Sequence, residues 1–97
     1  MAIDVFVNGA LVLTVDETVF ARLLPTQARL TRATGIEVSP YGTSVLAHEH
    51  CGLWAPAILE LSTSGELSAG ERQIARRLAE VLEDARQRRT NLLFEGD

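Results

Sequence analysis

The chain has 97 residues, 46% hydrophobic and 23% charged, with a formal net charge of −4 at pH 7. This length and composition predict one compact domain, residues 1–97, that buries a core without a disulfide or a metal. The acidic balance argues against nucleic acid as a partner, and the lack of an apolar run of about 18–20 residues argues against a membrane.

The N-terminal part of the chain has the pattern of a β-hairpin. Two runs rich in β-branched residues, 3–7 and 11–15, flank Asn8-Gly9, and Asn-Gly between such runs favours a two-residue turn. The first run is apolar at alternate positions, which predicts one buried face. The second run is apolar on both faces except at Thr14, which predicts the more central strand of the sheet.

A helical segment is expected to follow the hairpin. Asp16 is predicted to cap its N-terminus, and Phe20 begins an apolar stripe that faces the core. Gly35 suits the left-handed conformation that ends a helix. Pro25 interrupts the segment, and two alternatives stay open: the helix kinks there, or it breaks and restarts with Pro25 in its first turn.

The second half of the chain predicts two more helices and a final strand. A helix of about 15 residues is expected from His48, with a kink or a break near residues 52–55 because Pro56 follows. Residues 68–71 form a capping box that begins a long amphipathic helix. Residues 92–94 are expected to add a strand to the hairpin. The predicted fold is therefore α+β: a small antiparallel sheet, made of the N-terminal hairpin and the C-terminal strand, covered by about three helices.

The segment between the first two helical regions carries an unusual density of turn signals. Its sequence, residues 34–42, is Thr-Gly-Ile-Glu-Val-Ser-Pro-Tyr-Gly. Pro40 favours an extended Ser39, and Gly42 allows a positive φ where the turn closes. A loop specified in this detail is a candidate for function.

This loop and the end of the chain resemble a set of small uncharacterised bacterial proteins of similar length. The shared motifs are Thr-Gly, four residues and Pro-Tyr-Gly, with a terminal Phe-x-Gly-Asp. The resemblance implies the same order of secondary-structure elements. It implies no activity, because none is established for these proteins. Members often hold aspartates on both sides of Pro-Tyr-Gly, where this chain has Ser39 and Thr43, so the resemblance does not imply a metal or acid–base site in the loop.

Residues 47–51 hold both histidines and the single cysteine. On a helix His48 and Cys51 share a face without His50, and on a strand the two histidines share a face opposite Cys51. Neither geometry converges the three or four ligands that zinc requires, so we predict no metal site and no cofactor. A small metal- or thiol-dependent enzyme centred on His48, His50 and Cys51 stays as an alternative.

Residues 35–70 contain four glutamates and no lysine or arginine. Together with Tyr41 and Trp54, this pattern predicts an acidic contact surface with aromatic anchors, suited to a basic protein partner. The competing interpretation is a mildly acidic surface with Trp54 buried in the core.

The leading hypothesis is a non-enzymatic bacterial binding protein, an immunity- or antitoxin-like inhibitor that occupies the surface of a protein such as a cognate toxin. The expected partner-binding residues are Glu37, Tyr41, His48 and Glu49. A homodimeric structural or regulatory protein, with the second strand or the long helix as its interface, is a further alternative. The lone Cys51 and the lack of a basic, apolar leader predict a cytoplasmic location.

Overall fold

Four antiparallel strands form one sheet in the computed structural model, which describes residues 2–96. The strands are β1 (Ala2–Val7), β2 (Ala10–Asp16), β3 (Thr43–Leu46) and β4 (Leu92–Glu95). They lie in the order β2-β1-β4-β3. The predicted pairing of the C-terminal strand with the hairpin is confirmed, because β4 pairs with β1. The short extended piece after the Pro-Tyr-Gly turn adds the fourth strand on the far side of β4.

The two-residue turn of the hairpin is confirmed. Asn8 has a φ of 51° and Gly9 a φ of 80°. Two consecutive positive φ values define the turn type whose twist matches that of paired strands. The turn therefore sets the β1–β2 register, which shifts once, after Val5.

The prediction that the second run is the more central strand is wrong. β2 lies at an edge of the sheet, and β1 and β4 are the central strands. The outward side of β2 is apolar at Leu11, yet Leu11 is 56% exposed. An apolar residue on both faces of a strand usually indicates cover on both faces. Here the outward Leu11 belongs to a sheet face that none of the helices within residues 2–96 covers.

In the described part of the chain, five α-helical segments form three helical units. They are α1 (Glu17–Leu23), α2 (Ala28–Thr34), α3 (His48–Cys51), α4 (Ala55–Thr63) and α5 (Ala69–Arg88). A 3-10 turn, Leu24–Gln27, joins α1 to α2, and Pro25 lies in the first turn of that segment, where its missing N–H costs little. The helix expected from His48 breaks after Cys51 and restarts with Pro56 in the first turn of α4. Within residues 2–96, no helix combines the length and apolarity needed to cross a bilayer.

Both predicted N-terminal caps are confirmed. The Asp16 carboxylate accepts a hydrogen bond of 2.9 Å from the N–H of Val19, which satisfies a free donor of α1. Ser68 and Glu71 form the reciprocal capping box at the start of α5: the N–H of Glu71 donates to Ser68 Oγ at 3.2 Å, and the N–H of Ser68 donates to Glu71 Oε1 at 2.8 Å.

Trp54 joins the helices to the sheet at the centre of the core. Its ring meets Phe20 of α1 edge-on with 6.5 Å between ring centroids, and lies 5.8 Å from the ring of Phe94 in β4. Its indole N–H donates to Thr26 Oγ1 at 2.8 Å, so the one polar atom of this buried side chain is satisfied. The buried face of the sheet packs on this cluster through Val5 and the inward residues of the other strands.

Candidate protein-binding surface

Hydrogen bonds fix the start of the Gly35–Gly42 loop. Gly35 has a φ of 76° and its N–H donates to the Thr31 carbonyl at 2.8 Å, which ends α2 as predicted. The Thr31 hydroxyl donates to the Ile36 carbonyl at 2.9 Å. The N–H of Ile36 donates to Thr34 Oγ1 at 3.1 Å. The chain therefore leaves the helix in one defined direction.

The buried side chain of Gln27 holds the middle of the loop. Gln27 Nε2 donates to the Val38 carbonyl at 3.0 Å, and the N–H of Val38 donates to Gln27 Oε1 at 2.8 Å. The amide thus satisfies both backbone groups of Val38, a buried residue, as a neighbouring strand would. Gln27 was not predicted from the sequence as a residue that holds the loop. The sequence feature that could have indicated its role is its position, as a polar residue within a largely apolar helical stripe.

The end of the loop packs directly on the end of the chain. The N–H of Tyr41 donates to Ser39 Oγ at 3.0 Å, and the N–H of Gly96 donates to the Gly42 carbonyl at 2.8 Å. A Cβ atom placed on Gly96 would lie 2.0 Å from the carbonyl oxygen of Pro40. Only glycine fits this close approach. The Pro-Tyr-Gly turn and the Phe-x-Gly ending, two separate motifs in the sequence, therefore form one packed unit.

This supported loop presents two of the predicted contact residues to solvent. Tyr41 is 59% exposed, and Glu37 is also exposed. Val38, between them, is fully buried. The loop is thus anchored by its interior while Tyr41 and Glu37 remain available for contact.

The other two predicted contact residues lie at the opposite end of β3. His48 and Glu49 begin α3, where the N–H of His48 donates to Asn91 Oδ1 at 3.1 Å. Glu49 is exposed and His48 is half-buried. The four residues of β3 separate His48 from the Tyr41 turn by roughly 13 Å of strand rise. The predicted residues therefore form two patches, one at each end of an edge strand.

Cys51 lies in an environment that disfavours its ionised form. The side chain is buried, and its thiol contacts the Ala47 carbonyl at 3.6 Å. Burial is the main reason that the pKa of the Cys51 thiol rises from its ordinary 9.0 to about 11, with a smaller contribution from the negative charge of Glu83. A nucleophilic cysteine needs the opposite shift. Across residues 2–96, the His, Cys, Asp and Glu side chains form no group of three that could hold a metal ion.

Raising the pH above 9 is expected to destabilise the protein through Cys51. The folded state favours the neutral thiol, so this contribution is complete below pH 9 and is lost as the pH approaches 11. The expected loss between pH 8 and pH 10.5 is roughly 2 kcal/mol of unfolding free energy. Urea unfolding at pH 8 and at pH 10.5 measures this loss of unfolding free energy. Cys51→Ala is the control, in which the part of the loss that depends on Cys51 should disappear. An equal loss in both proteins would show that Cys51 is not its source.

The acidic segment of residues 35–70 keeps only one of its two large aromatic residues at the surface. Trp54 is fully buried, so it is a core residue rather than a contact anchor. Glu60 and Glu66 are exposed, as is Glu49. An aromatic contact from this segment therefore depends on Tyr41.

The face of the sheet turned away from the helices carries an apolar stripe that was not predicted from the sequence. On this open face, Phe6 of β1 lies opposite Leu11 of β2 and opposite Leu93 of β4, and Leu93 lies opposite Val45 of β3. Leu11 and Val45 are 56% and 59% exposed, and the two central residues are partly exposed. The apolar stripe is thus one apolar residue from each strand, in a row across the sheet. Its sequence signal was the lack of polar alternation in β2 and β4.

Two carboxylates lie beside the apolar stripe. Asp4 of β1 is directly opposite Glu95 of β4, on the same open face. The Asp4 carboxylate accepts a hydrogen bond of 2.9 Å from the Thr14 hydroxyl. None of the four strands contains an arginine, and within residues 2–96 neither carboxylate forms an ion pair. The charge of the open face is therefore negative.

A groove of about 600 Å³ lies between the hairpin and α5. Val12 lines the groove, together with four charged side chains of α5 that form two ion pairs. Arg77 lies 3.4 Å from Glu80, and Arg88 lies 3.0 Å from Asp84. The charged side chains of this groove are therefore paired with one another.

No family model, curated protein or solved structure matches this chain. The resemblance to small bacterial proteins that share the Pro-Tyr-Gly and Phe-x-Gly-Asp motifs therefore remains a prediction.

Proposed function

We propose that this chain is a non-enzymatic binding protein that acts by occupying the surface of a protein partner, in the manner of an immunity or antitoxin-like inhibitor. The observation that carries the proposal is Tyr41, 59% exposed on a loop whose backbone is held by hydrogen bonds before, within and after the turn. A cytoplasmic location belongs to the proposal, because the lone cysteine is a free thiol.

Preorganisation of the loop supports contact as its role. Ordering a flexible loop on binding costs about 1–2 kcal/mol per residue in backbone entropy. Here Gln27 and Gly96 hold the loop in place before any partner arrives. Tyrosine adds a large amphipathic surface with few torsions to restrict, which is why it is enriched among the residues that dominate interface energies.

The charges of the two predicted patches support a basic partner. Glu37 is exposed on the same loop as Tyr41, and Glu49 is exposed in the second patch, at the start of α3. The whole chain has a net charge of −4. Exposed acidic groups and a negative net charge speed association with a basic surface and select against acidic competitors.

The alternative of a thiol-dependent enzyme has less support. The pKa of Cys51 rises to about 11, mainly through burial, so few molecules carry a thiolate near neutral pH. A binding role makes no demand on this thiol.

Tyr41→Ala and Glu49→Arg are expected to weaken partner binding without unfolding the domain. Loss of an anchoring aromatic costs about 1–2 kcal/mol, which is roughly a tenfold rise in Kd. Reversing the charge at Glu49 should slow association, with an effect that shrinks as salt increases. Calorimetric and stopped-flow titration measure both effects. The first partner to test is the product of a toxin-like gene adjacent to the gene for this chain.

The matched control is a residue on the exposed side of α5. Gln73 is exposed on that helix, so Gln73→Ala should leave both affinity and unfolding free energy unchanged. Circular dichroism on each variant separates lost contact from lost fold. Unchanged affinity in both Tyr41→Ala and Glu49→Arg would exclude this placement of the interface.

A further inference from the structure

We infer that the open face of the sheet is a docking surface for a protein segment that carries both apolar and cationic side chains. The inference rests on the proposed binding function and names the chemistry of the partner. Its two observations are the apolar stripe (Leu11, Phe6, Leu93 and Val45) and the adjacent pair of carboxylates, Asp4 and Glu95.

The apolar stripe occupies positions at which the solvent-facing side of a sheet normally carries polar residues. An antiparallel sheet with one covered face alternates apolar inward and polar outward residues. On this sheet the stripe instead crosses all four strands, a width of roughly 14 Å. Its two ends, Leu11 and Val45, are more than half exposed. A contiguous apolar patch of this kind marks an interaction site more often than isolated surface residues do.

The carboxylate pair indicates the charge of the partner. Asp4 and Glu95 are directly opposite on adjacent strands, and like charges at opposed positions destabilise a sheet. A lysine or arginine placed against both carboxylates would relieve this repulsion. The cation must come from the partner, because β1, β2, β3 and β4 contain no arginine and the whole chain contains no lysine.

A second copy of this chain fits the open face poorly. In a two-fold symmetric dimer the same patch faces itself. The open face would then bring its own carboxylates against acidic or neutral groups, with no cation from either strand set. A heterologous, basic partner supplies what the face lacks.

The open face continues from the loop already proposed for binding. Only Gly42 separates Tyr41 from β3, and Val45 at the end of the apolar stripe belongs to β3. A partner that contacts Tyr41 can therefore extend across β3 onto the stripe.

Panning a random 16-residue peptide library, displayed on phage, against the immobilised protein tests the inference. The selected peptides should be enriched in apolar residues and in lysine or arginine. Their affinity should fall at least fivefold with Val45→Thr, and at least fivefold with the double variant Asp4→Asn/Glu95→Gln at low salt. Both changes are close in shape to the native side chains, so the fold should be retained. Leu59→Ala and Glu60→Gln, exposed on α4, are the matched controls.

Several outcomes would overturn the inference. Selected peptides that are acidic or uncharged, or binding that is insensitive to Val45→Thr and to the double variant, would reject the open face. Peptides that lose binding only with Tyr41→Ala would reject it while leaving the proposed function in place. A dimer seen by light scattering that Val45→Thr dissociates would assign the face to self-association. Failure to select any peptide would also count against a docking surface.

Discussion

Trp54→Ala is expected to be the most destabilising single substitution considered for this protein. Removing the ring deletes its contacts with Phe20 and Phe94 and leaves a cavity between the helices and the sheet. Large-to-alanine changes at fully buried aromatic sites cost about 3–5 kcal/mol. A domain of this size has a total stability of about 5–15 kcal/mol. The variant should therefore be partly or fully unfolded at moderate urea concentrations.

Urea unfolding followed by far-ultraviolet circular dichroism measures this effect without the tryptophan signal. Trp54→Phe should lower the unfolding free energy less than Trp54→Ala does, because it keeps an aromatic ring in the core. It should still be less stable than the native protein, because it lacks the 2.8 Å hydrogen bond to Thr26 Oγ1. Leu59→Ala, in the helix that begins directly after Trp54 and 47% exposed, is the control and should change stability little. A loss below about 1 kcal/mol in Trp54→Ala would contradict the central position of this ring.

Gln27→Leu is expected to destabilise the domain by roughly 2–4 kcal/mol and to loosen the Gly35–Gly42 loop. Leucine has a similar size but leaves the N–H and the carbonyl of buried Val38 without partners. Each unsatisfied buried group costs about 1–3 kcal/mol. Because Val38 lies between Glu37 and Tyr41, the variant should also lose affinity for the partner. Hydrogen exchange at the Val38 amide reports the loop directly and should accelerate.

Gln73→Leu is the matched control for this substitution, since Gln73 is exposed on α5. It makes the same chemical change without removing a buried hydrogen bond, and its expected effect is within about 0.5 kcal/mol. If Gln27→Leu were as stable as Gln73→Leu, the amide would not be what holds the loop.

The elements that the sequence predicted well are those with local causes. Asn8-Gly9, the Asp16 cap and the Ser68 capping box each act within a few residues, and the structure confirms all three. Gly35 ends its helix for a similarly local reason. Such features depend on backbone conformation and short-range hydrogen bonds, which a few neighbouring residue types determine.

The features that the sequence concealed depend on tertiary contacts. Hydrophobicity alone could not place β2, because an apolar outward face is compatible either with a buried central strand or with an uncovered binding face. The pairing of Gln27 with Val38 joins residues 11 apart along the chain. The close approach of Gly96 to Pro40 joins two distant motifs, and no short-range pattern predicts it.

The tyrosine position on the loop gives the most direct test of the binding proposal. A photo-crosslinking residue replaces Tyr41 in one variant and Gln73 in another, and both are expressed in the source cells and irradiated. The proposal predicts a discrete adduct with one other protein at position 41, absent at position 73, whose crosslinked peptide is rich in lysine or arginine. The same adducts at both positions, or none at position 41, would contradict it.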